Sequence, residues 1–218
     1  MRYQTTRPEP RPTKSPRTKP AEVRLDELMA AAEKLFLAKG VEATTISEIV
    51  EEAQVAKGTF YHYFASKNDM LGALAQRYTA RFLERLQAAV DACPAGDWRA
   101  RLRAWIHASV ETYVETYRTH DIVYANHHHH DRANADRNAI LDQLQGIVEH
   151  GMTAGAWTTD QPRVVSLLIY SGVHGATDDI IAARPADCAA FARAVADSCM
   201  RMLDAPKSDA PKPRGRTR

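Results

Sequence analysis

The chain has 218 residues, 44% of them hydrophobic and 26% charged, with a formal net charge of +2. That length supports one or two compact domains with a real core, and the absence of any run of 18 apolar residues argues against a membrane helix. Cys93, Cys188 and Cys199 form no CxxC pair and are odd in number, which argues against a disulfide framework and for a reducing, cytoplasmic setting.

Residues 1–22 carry six Lys/Arg against two Glu, and residues 205–218 carry five against Asp209. Each tail is net +4, which leaves the middle of the chain near −6. Both tails are rich in Pro, Ser and Thr, and that composition predicts disordered basic arms. Neither contains an apolar signal segment. Basic arms beside an acidic body suit a polyanion partner, most simply nucleic acid.

From Arg24 to Lys39, Leu25, Leu28, Met29, Ala32, Leu35 and Phe36 recur at helical spacing. Gly40 then closes the helix. In "ATTISEIVEEAQV", Thr45 and Glu48 have the spacing of a capping box, with Ile46, Ile49, Val50 and Ala53 as a short apolar stripe. A turn at Gln54-Val55-Ala56 leads into a second short helix, Lys57 to Tyr63. Ser66 is the expected cap of a long helix from Lys67 to Asp91. The "CPAGD" at 93–97 breaks the chain, and a helix from Trp98 to about Tyr117 follows. After an irregular segment, further helices are expected at 133–153, 163–182 and 186–203. The fold class is therefore all-α, with short connections and no strand pattern.

Three short N-terminal helices with a tight turn between the second and third describe a helix-turn-helix, whose last helix enters the major groove of DNA. The third helix, "KGTFYHYF", has small residues at its start, Gly58 and Thr59, and then Tyr61, His62 and Tyr63 in a row. Small residues allow a close approach to the phosphate backbone. Tyr and His offer donors and flat faces for thymine methyls and sugars. Lys57 and Lys67 bracket the helix within reach of phosphates. Phe60 and Phe64 are expected to pack inward.

Residues 24–71, carried by "AAEKLFLAKGVEATTISEIVEEAQVAKGTFYHYFASKNDML", closely resemble the DNA-binding domain of the tetracycline-repressor (TetR) family of bacterial transcription regulators. Thr44 and Thr45 are candidate DNA contacts, and the resemblance implies that Thr45 caps the second helix and touches phosphate. It further implies that Lys57, Thr59, Tyr61, His62 and Tyr63 face DNA and that Lys67 binds phosphate; Gly58 joins these candidates through its small size at the helix start. Two positions depart from the family pattern. Gln54 stands where a turn glycine is common, and Ala56 where a capping Ser or Thr is common. With the two basic tails (1–22 and 205–218), the layout is a three-helix DNA reader (23–70) and, as the resemblance implies, a helical ligand-binding and dimerisation bundle (71–204).

A single helix-turn-helix makes few base contacts, so a homodimer reading a palindromic operator in double-stranded DNA is the expected solution. Val164, Leu168, Val173, Phe191, Val195, Cys199 and Met202 give the last two helices an apolar face for a partner copy. The middle helices hold most of the aromatics. Tyr78, Phe82, Trp105, Tyr113, Tyr117, Tyr124, Trp157 and Tyr170, with His174, are candidate walls of a pocket for a small, partly hydrophobic or aromatic effector. Effector binding would favour a dimer shape that no longer matches the operator, which makes the protein a repressor by default.

The run His127 to His130 raises a second reading. His174 and Asp178, four apart, share one helical face. Joined by His127 or His128, and by His120 or Asp121, they would suit Zn, Ni or Fe and make a metal-responsive regulator of the same fold; no cofactor is otherwise required. A metal-dependent hydrolase is the competing class, but the chain lacks HExxH, GxSxG and phosphate-loop patterns, and that class leaves "KGTFYHYF" unexplained.

Overall fold

The computed structural model describes residues 20–124, 135–183 and 188–203. Within them all regular structure is helical: α1 (Ala21–Lys39), α2 (Ile46–Glu52), α3 (Lys57–Tyr63), α4 (Lys67–Asp91), α5 (Trp98–Tyr124), α6 (Ala135–Thr153), α7 (Pro162–Ala183) and α8 (Cys188–Leu203). The histidine run and both basic tails lie outside the described residues.

Local chemistry sets most boundaries. Gly40 stops α1 with φ of 85°, its N–H donating to Phe36 O at 2.8 Å. The Thr45–Glu48 capping box forms in both directions. Glu48 N donates to Thr45 Oγ1 at 3.3 Å, and Thr45 N donates to Glu48 Oε2 at 2.8 Å. Asp69 N donates to Ser66 Oγ at 3.1 Å at the head of α4. Ala100 N donates to Asp97 Oδ1 at 2.9 Å at the head of α5. Pro162 opens α7, where its missing N–H costs nothing.

Helix α5 runs to Tyr124 rather than to Tyr117. Thr119, His120 and Asp121 are weak helix formers, so the apolar pattern fades there. The extra turns are held by packing. Val123 is buried at 1% exposure among the N-terminal helices, and the Tyr124 hydroxyl bonds to the Thr79 hydroxyl.

Two apolar cores share one long helix. The first packs Leu28, Ala32, Phe36, Ile49, Phe60 and Met70 and continues along α4 through Leu71, Leu74 and Ala75. The second packs Leu86 and Val90 of α4 with α5, α6, α7 and α8 around Trp105 and Ile106. The first core thus extends past residue 70, the expected domain limit. One rigid element joins both halves, and its middle, Tyr78 to Phe82, lies at the seam.

Candidate functional site

The DNA-reading candidates sit on the short helix α3 and its surroundings. Phe60 is fully buried and Phe64 is 7% exposed, so the helix docks by these two rings. That docking turns the opposite side outward. Lys57, Gly58 and His62 are exposed, Thr59 is half-buried, and Tyr61 is 53% exposed. A Cβ added to Gly58 would meet nothing within 4 Å. No internal packing demands a glycine there. Thr45 is exposed at the head of α2.

Three expected DNA contacts have other partners. Thr44 is 1% exposed, and its hydroxyl donates to Gly40 O at 2.8 Å. It ties the α1–α2 loop instead of facing outward. The Tyr63 hydroxyl donates to Ala21 O at 2.9 Å, and its half-buried ring packs against the first core. The Lys67 ammonium reaches Val41 O at 2.6 Å, Thr44 O at 3.0 Å and Glu42 O at 3.4 Å. An ammonium has three protons, and all three find carbonyls here. Lys67 therefore staples the head of α4 to the α1–α2 loop.

The turn departures have visible consequences. Gln54 adopts φ of 55°, the left-handed region that favours glycine. Ala56 caps α3 with no side-chain hydrogen bond.

In the second half, α4, α5, α6 and α7 surround a pocket of about 700 Å³ of empty space, its mouth included. Seven of the expected wall residues line it: Tyr78, Phe82, Trp105, Tyr113, Tyr124, Tyr170 and His174. The rings pack against one another, with Tyr78 stacked on Phe82 at 6.1 Å and His120 edge-on to Tyr113 at 4.6 Å. Tyr117 is not among the lining residues; its hydroxyl accepts from Arg118 Nε at 3.3 Å. Trp157 is also elsewhere. Its indole N–H donates to Val148 O at 2.9 Å, and its ring lies on Gly151, where a Cβ would come within 2.1 Å of a ring carbon. Trp157 is a core residue.

Polar partners outside the lining of the pocket hold its phenols and His174. Asp178 accepts from the Tyr113 hydroxyl on Oδ1 at 2.7 Å and pairs with His174 Nδ1 on Oδ2 at 3.1 Å. Tyr78 and Thr116 hydroxyls bond at 3.0 Å. Burial pushes the Tyr78 hydroxyl up to about 12. Burial, and then the hydrogen bond to Asp178, raises Tyr113; burial also raises Tyr124 and Tyr170. These phenols stay protonated near neutral pH. Ser109 lines the pocket at 4% exposure, and its hydroxyl has no hydrogen-bond partner among the described residues. Sequence pattern did not single out Ser109 or Arg137. Arg137 also lines the pocket, its guanidinium 5.7 Å from the Tyr170 ring centre. Both are polar residues scattered in helices and carry no pattern of their own.

Of the expected metal ligands, His127 and His128 lie outside the described residues. Both oxygens of Asp178 already have partners, and among the described residues no three His, Cys, Asp or Glu side chains are grouped to hold a metal ion.

Residues 28–74 match the family profile described as "Bacterial regulatory proteins, tetR family", and residues 95–178 match "Tetracyclin repressor-like, C-terminal domain". The chain belongs to the TetR family. TetR proteins are transcription regulators, and this chain has their DNA-binding and C-terminal domains. It is similar to the HTH-type transcriptional regulator QacR of Staphylococcus aureus, 23% identical over 161 residues, covering 69% of this chain and 82% of QacR. It is also similar to the HTH-type transcriptional repressor KstR2 of Mycobacterium tuberculosis, 27% identical over 139 residues, covering 59% of this chain and 68% of KstR2. A solved structure from Rhodococcus sp. RHA1 has the same fold with a TM-score of 0.75 at 22% identity, covering 88% of this chain and 100% of that one.

Proposed function

We propose that this TetR protein is a homodimeric repressor that leaves its operator when a small, partly hydrophobic or aromatic ligand enters the pocket behind Tyr78 and Phe82. The observation that carries the reading is the course of α4. Its first turns belong to the core of the DNA reader, and its middle lines the pocket. A ligand that prefers one position of α4 thereby prefers one position of α3, which is the differential affinity that coupling requires. The name of KstR2, a transcriptional repressor, supports repression over activation.

A second copy would sit on α7 and α8. Val164, Leu168 and Met202 are exposed at 48%, 56% and 44%. A Cβ at Gly172 or Gly175 would meet nothing within 4 Å, so close approach of another helix is open there. Val173 and Cys199, expected on this face, are each 5% exposed and pack inside the chain's own core instead.

The test is selection of DNA sites from a random duplex pool by the full-length protein. Enrichment of an inverted repeat with half-sites about one helical turn or a multiple apart is expected. A pool without enrichment, or a lone half-site bound by a monomer, contradicts the reading.

A further inference from the structure

A second hollow, about 630 Å³ of empty space with its mouth, lies between α1, α4 and α5. It shares Tyr78 and Phe82 with the aromatic pocket but has a different chemistry. Arg77, Arg81 and Arg85 of α4 line it, and their spacing of four puts them on one helical face. Glu33 is the one acidic residue lining it among those described.

The arginines are not equally engaged. Arg77 pairs with Glu33 at 3.0 Å and with Asp26 at 3.8 Å, both on α1. Arg85 pairs with Glu115 at 2.6 Å. Arg81 is exposed and has neither an ion pair nor a hydrogen bond among the described residues. From the α5 side comes Thr112. It is 3% exposed, and its hydroxyl has no partner among the described residues. A buried hydroxyl is ordinarily satisfied. Here an orphan hydroxyl and a spare guanidinium line the same cleft, and both lack an acceptor.

We infer that this cleft binds a phosphate-bearing anion. Guanidinium forks bind phosphate oxygens in pairs. Arg77 and Arg85 already hold carboxylates, so a single phosphate group taken by Arg81 and Thr112 is the simplest fit. The anion has two sources of the same chemistry: a free phosphate compound, or the phosphate head group of an amphiphile whose apolar part occupies the aromatic pocket across the shared wall. The second source rests on the pocket reading above; the site itself does not. Arg77 gives the cleft an outlet to the DNA reader. An anion competes with Glu33 and Asp26 for its guanidinium, and those carboxylates belong to the helix that packs on α2.

Calorimetric titration of the full-length protein at fixed ionic strength tests this, with sodium pyrophosphate, dodecyl phosphate and dodecan-1-ol as probes and Arg81→Gln as the variant. Arg81 is exposed, so the variant keeps its fold, which circular dichroism checks. Pyrophosphate binding that weakens roughly tenfold or more in the variant supports the site with a free anion. The same loss for dodecyl phosphate, with pyrophosphate silent, supports the site with a head group. Absence of phosphate binding, binding of the alcohol alone, or phosphate affinity unchanged in Arg81→Gln overturns it. Operator binding without additives is measured alongside, so failure of this site and failure of the regulator reading are read separately.

Discussion

Gln54 holds a left-handed backbone, φ of 55°, in the turn before α3. A side chain there costs about 1–2 kcal/mol that glycine avoids, set against about 0.4–1 kcal/mol for the extra freedom glycine has when unfolded. Gln54→Gly is therefore expected to raise stability by about 0.5–1 kcal/mol, read as a rise in Tm. Glu48 offers a pH signature. Its hydrogen bond from Lys39, and then those from Thr45, lower its carboxyl to about 2. A depressed carboxylate stabilises the fold above its unfolded pKa and loses that contribution as pH falls. The stability gap between wild type and Glu48→Gln should be full above about pH 4.5 and close as pH falls towards 2. At this scale the sequence was legible where a residue type has one job. The capping box and the buried Phe60 and Phe64 follow from spacing alone. Thr44 and Lys67 bond to loop carbonyls, because a threonine or lysine near a DNA reader serves carbonyls as well as phosphates, and only the folded loop decides which.

Among the elements, α4 joins the two halves, and the aromatic wall depends on α5 following it as far as Tyr124. The sequence located every described helix, since the 3.6-residue period and the caps are local. It missed the end of α5, because Val123 is held by residues of α1 to α4 that lie far away in the chain. Trp157 was misplaced for the same reason. Nothing in "GAWTTDQP" says that the indole turns back onto Gly151. That contact makes a clear prediction. Gly151→Ala drives a methyl into the ring, 2.1 Å from a carbon, and should destabilise the protein by about 1–3 kcal/mol. Urea denaturation measures it; an unchanged midpoint would show that the indole moves aside freely.

Across the whole molecule, one helix, α4, links the exposed recognition face to the pocket. Fold and family were readable early because the first 70 residues carry dense local signals. The pocket was readable only as a list of aromatics, since which rings converge depends on how four helices pack. The central claim is that α3 reads DNA through its exposed face. Tyr61 is 53% exposed and meets Phe60 edge-on at 5.5 Å, so Tyr61→Ala should leave stability within about 0.5 kcal/mol of wild type. Fluorescence anisotropy on the selected operator, across a range of salt, is the most direct measurement. Wild type should bind with a log–log salt slope of about −5 to −9, and Tyr61→Ala should bind roughly tenfold or more weakly at equal Tm. Equal affinity of the two proteins, or binding indifferent to salt, would contradict the account.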